Sequence, residues 1–112
     1  MNITHTRQDQ LALVKIEGRL DAATAAAAEK QLVDLVAAGA RSIAVDGSAL
    51  VYISSAGLRV LLSLAKKIKA AQGQIALGGL QPQVKEILEI AGFSSIMPVY
   101  ATAEEARRAC EG

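Results

Sequence analysis

The sequence predicts an α/β fold with elements in the order ββαβαβαβα. Short aliphatic runs such as Ser42-Ile43-Ala44-Val45-Asp46 and Gln74-Ile75-Ala76-Leu77 alternate with longer segments whose apolar residues recur at helical spacing. A length of 112 residues, 52% of them hydrophobic, fits one domain over 1–112 that buries a core without disulfides or metals.

Each element has its own local reason. From Ile3 to Glu17 two strands surround the turn-like Gln8-Asp9-Gln10, and the second, Leu11-Ala12-Leu13-Val14-Lys15-Ile16, is rich in residues that suit a pleated surface. The pattern is a hairpin, and Gly18 is expected to break the second strand. Asp21 and Thr24 offer polar caps for a helix from about Thr24 to Ala38, with Ala28, Leu32, Leu35 and Val36 on one face and Gly39 as the stop. Ser42–Asp46 is a buried strand closed by the turn signal Asp46-Gly47, so a parallel crossover is expected between it and the strand before the helix.

The strongest helix follows Ser54-Ser55. Leu58, Leu61, Leu62, Ala65 and Ile68 form a stripe opposite Arg59, Ser63, Lys66 and Lys67. Adding Val60 and Leu64 widens the apolar arc to roughly 200°, more than a helix lying on a sheet requires, which leaves two readings open for Val60 and Leu64, a docking face for a partner or simple burial. Gln74–Leu77 is the next strand, between Gly73 and Gly78-Gly79. Pro82 suits a first helical turn, with Val84, Ile87, Leu88 and Ala91 as the apolar face and Gly92 as the end. Ser95-Ile96-Met97-Pro98-Val99-Tyr100 is read as a last strand, placed at an edge or bulge by Pro98. Thr102-Ala103-Glu104-Glu105 has the spacing of a capping box opening a terminal helix.

Composition excludes several function classes. Twelve Lys plus Arg against eleven Asp plus Glu leave a formal charge of +1, too little to gather phosphate backbones, and Tyr52, Phe93 and Tyr100 are too few aromatics for base stacking. Nucleic acid is therefore not an expected partner. The lone Cys110 admits no internal disulfide and suits a reducing compartment, while the polar Met1–Arg7 lacks the apolar core of a secretion signal and no segment is apolar for the length of a membrane span. A cytoplasmic protein without membrane insertion is expected.

Catalytic and metal chemistry find little support. His5 and Cys110 lie at opposite ends of the chain and make no ligand set, so no metal or other cofactor is expected. His5 reads as a polar residue of an outer strand and Cys110 as part of the last helix, packed or frayed. Tyr52-Ile53-Ser54-Ser55 is not a Gly-x-Ser-x-Gly elbow, and Gly73–Gly79 is not followed by the Lys-Ser or Lys-Thr of a phosphate loop. The chain is not expected to be an enzyme.

What remains is Ser54-Ser55-Ala56-Gly57-Leu58, where a strand-like segment turns into a helix. One serine can cap the helix while the next stands in its first turn, beside open amides and the positive end of the helix dipole. Gly57, without a Cβ, permits a close approach to the backbone. A phosphate on Ser55 would be accommodated without unfolding the helix. By spacing alone, simple capping by both serines remains the stronger reading.

The surrounding residues resemble a known family. Asp46-Gly47-Ser48-Ala49-Leu50-Val51-Tyr52-Ile53-Ser54-Ser55-Ala56-Gly57-Leu58-Arg59 is similar to the signature of STAS domains, in particular bacterial anti-sigma factor antagonists. Glu17-Gly18-Arg19-Leu20-Asp21 resembles the family's turn after the second strand, and Val84–Phe93 its third helix and following turn. The resemblance implies a mixed sheet of four or five strands with about four helices, largely on one side. It also implies binding to an anti-sigma factor, often a serine kinase, so that a sigma factor is released; phosphorylation of Ser55 would abolish the complex and a phosphatase would restore it.

Carried over by position, Ser55 is the phosphoacceptor, Gly57 the close-approach residue, and Asp21, Thr24, Ser54, Ala56 and Arg59 belong to the same partner-binding surface. Many relatives carry an acid immediately before the phosphorylated serine and a second serine after it, where this chain has Ser54 and Ala56. Two hydroxyls are thus candidates: Ser55, two before Gly57 as in the family, and Ser54 as the fallback. The alternative function is a STAS-type cytoplasmic accessory subunit of a transporter, without a kinase switch.

Overall fold

In the computed structural model, which describes residues 1–111, the hairpin forms as its pattern requires. β1 (Asn2–Gln8) pairs antiparallel with β2 (Leu11–Leu20) across a two-residue turn in which Asp9 takes a positive φ of 56°. Helix α1 (Ala25–Ala37) buries Ala28, Leu32 and Leu35 and ends at Gly39, where the Ala40 amide donates to the Leu35 carbonyl and the Gly39 amide to that of Val36. β3 (Ser42–Asp46) then lies parallel to β2, the expected crossover.

Gly18 does not break β2. The strand runs on to Leu20 through an irregularity between Gly18 and Arg19, with Gly18 at a φ of +93°. A bulge at a left-handed glycine bends the strand without ending it, and β2 thereby serves two parallel neighbours in turn. Leu11–Lys15 pair with β3, and Gly18–Leu20 pair with an additional short strand, β4 (Leu50–Ile53). The observed order is therefore ββαββαβαβα, one strand more than expected.

Helix α2 (Ser55–Ala70) follows β4 directly, and β5 (Gln74–Gly78) pairs with β3. Helix α3 (Pro82–Ile90) has its proline in the first turn. Instead of one strand over Ser95–Tyr100, a 3₁₀ turn at Phe93–Ser95 leads to a two-residue β6 (Val99–Tyr100) at the sheet edge. Phe93 and Met97 are both buried, and the Met97 amide donates to the Phe93 carbonyl; this helical turn is incompatible with an extended start. Pro98 keeps its carbonyl in use, accepting from the Leu77 amide. Helix α4 (Ala103–Glu111) opens on the expected cap, with the Glu105 amide donating to Thr102 Oγ1 at 3.1 Å.

The main path of the sheet runs β1-β2-β3-β5-β6, with β4 beside the far end of β2. Period-two alternation divides the strands between two faces. Val14, Ile16, Ile43, Val45, Ile75 and Leu77 join residues of α1, α2 and α3 in the main core. Leu11, Ala44 and Ala76 face the other way, under Ala106 and Cys110 of α4. Three helices thus cover one face, and α4 covers part of the other.

The wide apolar arc of α2 is consumed internally. Val60 and Leu64 are 4% and 1% exposed, so they are core rather than docking surface. α2 packs against α1 as well as against β4 and β5, so its apolar arc faces more than a sheet. Leu58 and Leu62 remain half-buried at the margin.

Candidate functional site

The parallel strands β2 and β4 end side by side, and what leaves their carboxyl ends forms the candidate site. In open α/β sheets the loops at this end commonly carry function, because strand ends hold them rigidly while leaving their side chains free. Leu20 is paired with Ile53, and the Ser54 amide donates to the Leu20 carbonyl at 3.0 Å. That bond joins the turn beginning at Asp21 to the start of α2.

Ser54 and Ser55 have different tasks. Ser54 is extended, at φ −97° and ψ 177°, so the helix begins after it; its Oγ accepts from the Gly57 amide at 3.3 Å and its carbonyl accepts from the Leu58 amide at 2.9 Å. Those are the duties of an N-cap. Ser55 is the first helical residue and is exposed, whereas Ser54 is half-buried. Amides in the first turn have no acceptor within the helix, and no acidic side chain occupies that turn of α2. The start of α2 therefore presents positive potential next to the Ser55 hydroxyl.

Gly57 is buried, and its close approach is made by the protein itself. A Cβ at this position would lie 2.5 Å from the Leu20 carbonyl oxygen and 2.8 Å from Ile53 Cγ1. The glycine seats the first turn of α2 on the ends of β2 and β4. Ala56 is half-buried and Arg59 exposed. Arg59 stands four residues after Ser55, the spacing at which an anion and a following cation attract on a helix surface.

On the neighbouring loop, Asp21 and Thr24 cap each other more than they cap α1. Asp21 Oδ1 accepts from the Ala23 amide at 3.0 Å, and Thr24 Oγ1 accepts from the Asp21 amide at 3.0 Å and donates to the Arg19 carbonyl at 3.0 Å. Thr24 occupies the N-cap of α1 but makes no side-chain bond to the helix. The Asp21 carbonyl takes over, accepting from the Ala25 amide at 2.8 Å.

Two further residues at this end were not singled out by sequence reasoning. Arg19 lies 3.6 Å from Asp21 Oδ2, and its guanidinium stacks over the Tyr52 ring at 4.2 Å. Tyr52 and its neighbour Val51 are both exposed for their type. The signal exists only after strand pairing, since Arg19 and Tyr52 are cross-strand partners. The site thus combines an exposed hydroxyl, an aromatic–guanidinium stack, a carboxylate and a second arginine.

The remaining chemically capable residues lie elsewhere. His5 is exposed on β1, and Cys110 is buried under the sheet, its Sγ donating to the Ile43 carbonyl at 3.5 Å. Burial pushes the Cys110 thiol up, away from thiolate. Among the described residues no three His, Cys, Asp or Glu side chains gather to hold a metal, and no helix is long and apolar enough to cross a membrane.

The sequence and the fold both have counterparts among known proteins. A Bordetella bronchiseptica protein, BtrV, described as a candidate anti-sigma factor antagonist, is 39% identical over 109 residues, 97% of this chain and 94% of its own. A Thermotoga maritima structure described in the same terms superposes with a TM-score of 0.91 at 22% identity, covering 98% of this chain and 95% of that one. The phosphorylated form of the Bacillus cell fate determinant SpoIIAA superposes with a TM-score of 0.75 at 19% identity, over 96% and 98% of the two chains. The profile of the STAS domain family matches residues 2–106, and the chain belongs to that family.

Proposed function

We propose that this chain is an anti-sigma factor antagonist that binds an anti-sigma factor with serine kinase activity and is released when Ser55 is phosphorylated. It acts by occupying its partner, not by catalysis, and a phosphatase resets it. The observation that carries the reading is the division of labour at α2: Ser54 is engaged as the cap, while Ser55 is exposed in the first turn. The description of BtrV as an antagonist, at 39% identity over nearly the whole chain, supports the same partner class.

The chemistry is a phosphoryl transfer in which the chain is substrate. Ser55 Oγ bonds to the γ-phosphorus of ATP, its proton passes to a base of the kinase, and ADP leaves. The product carries roughly 1.5–2 negative charges at neutral pH. Within the chain these are tolerated, because the open amides of the first turn and Arg59 face them. At the docking surface they add bulk and charge beside Asp21, and a partner shaped for a neutral hydroxyl loses its fit. Asp21, Thr24, Ala56 and Arg59 contribute to the contact or shape it, and Gly57 fixes where the helix starts.

Affinity capture from an extract of the source organism tests this reading. Native chain and Ser55→Ala are expected to retain the same ATP-binding partner, and Ser55→Asp to lose it by at least tenfold. Equal capture by Ser55→Asp would contradict the switch, and capture of a membrane transporter instead would contradict the partner class.

A further inference from the structure

The two edges of the sheet are unequally protected. At one, β6 is two residues long and is preceded by Pro98, both devices that discourage further pairing. At the other, β1 is seven residues long, contains neither lysine nor proline, and pairs with β2 in unbroken register. Gln8 and Leu11 flank a two-residue turn, so their backbone groups point at each other. By alternation the amides and carbonyls of Ile3, His5 and Arg7 point outward, unpaired by β2.

We infer that β1 is a self-association edge: two copies of this chain pair antiparallel through β1, with His5 of each copy opposite His5 of the other. The groove between the strand and α1 fits such an addition. That groove, of about 410 Å³, is lined by Ile3, His5, Asp34 and Leu35. An added strand sends alternate side chains to the two sides.

The strand's own sequence identifies the occupant. With His5 at the two-fold axis, Thr4 of one copy meets Thr6 of the other, a favourable cross-strand pair. Ile3 meets Arg7 of the second copy on the face where Asp34 lines the groove, so opposite charges approach as the Arg7 guanidinium exchanges the exposed Asp9 carbonyl of its own turn for that carboxylate. Ile3, His5 and Arg7 then exchange all their outward backbone bonds with the same three residues of the second copy. The surface lies on a different strand from the α2 site and does not depend on the phosphorylation reading.

Sedimentation equilibrium and cysteine cross-linking test the pairing. The native chain is expected to rise toward twice its mass as concentration increases, and His5→Pro, which removes the central outward amide, to stay monomeric with an unchanged circular dichroism spectrum. The two His5 Cα atoms would be about 5.5 Å apart, inside the roughly 4.4–6.8 Å that a disulfide spans. His5→Cys should therefore cross-link under a mild oxidant such as oxidised glutathione. Asn2→Cys should not, since its symmetry mate would be roughly 20 Å away. A native chain that remains monomeric up to roughly 1 mM, or cross-linking of Asn2→Cys as fast as His5→Cys, would overturn the inference.

Discussion

Replacing Gly57 by alanine sets two physical effects against each other. Helix propensity alone predicts a gain, since alanine is favoured over glycine by about 1 kcal/mol inside a helix. Packing predicts the opposite: the new methyl would lie 2.5 Å from the Leu20 carbonyl oxygen, 2.8 Å from Ile53 Cγ1 and 2.9 Å from Leu20 Cγ. Two of these belong to side chains that are essentially fully buried and the third to backbone that also accepts from the Ser54 amide, so none yields easily. Overpacking costs about 1–3 kcal/mol, and three contacts under 3.0 Å with atoms that do not yield put this case in the upper part of that range, about 2–3 kcal/mol. The net expectation is a loss of about 1–2 kcal/mol. With a urea slope near the middle of the usual range, the unfolding midpoint should fall by roughly 0.5–1 M. A midpoint that stays constant or rises would refute the claim that Gly57 seats α2 on the strand ends.

Leu64→Ala should cost about 2–5 kcal/mol in the same assay, as deletion of a buried leucine does; a docking role for that face would leave stability nearly unchanged. Ser54→Ala removes an N-cap and should cost about 0.5–2 kcal/mol, read as a lower melting temperature, whereas Ser55→Ala should cost less. At the C-terminus, the hydrogen bond and charge of Arg107 hold the Glu104 carboxyl down to about 2, from an ordinary 4.5. Its contribution is fully present above pH 4.5 and is lost as pH falls through about 2. Carbon NMR of the Glu104 carboxyl should show that midpoint, and Arg107→Gln should return it toward 4.5.

Where sequence reading succeeded, a strong local signal was present. Ser42–Asp46 is apolar between turn residues, and Thr102 and Glu105 form a cap by spacing alone. β4 carried a weaker signal, a strand-like lead into Ser54 not counted among the elements: it is four residues long, its middle pair Val51 and Tyr52 is exposed, and it exists because β2 bends at Gly18 to meet it. Gly18 was misread for the same reason, since a glycine that bends a strand and one that ends it look identical in sequence. The apolar width of α2 was legible, but which neighbours would cover Val60 and Leu64 was a matter of tertiary packing. At the site, the pair Ser54-Ser55 was legible as one cap and one spare hydroxyl. Their assignment needed the extended backbone of Ser54. The Arg19–Tyr52 stack lay out of reach until strand register brought residues 19 and 52 together.

The central claim is that Ser55, and not Ser54, is the hydroxyl that carries the switch. Mapping the phosphate by mass spectrometry after incubation with ATP and the captured partner kinase tests it directly. The expected result is a single phosphate on Ser55 in the native chain and in Ser54→Ala, none in Ser55→Ala, and release of the partner as the phosphate is added. Phosphate on Ser54, or a phosphorylated chain that still holds its partner, would contradict the account.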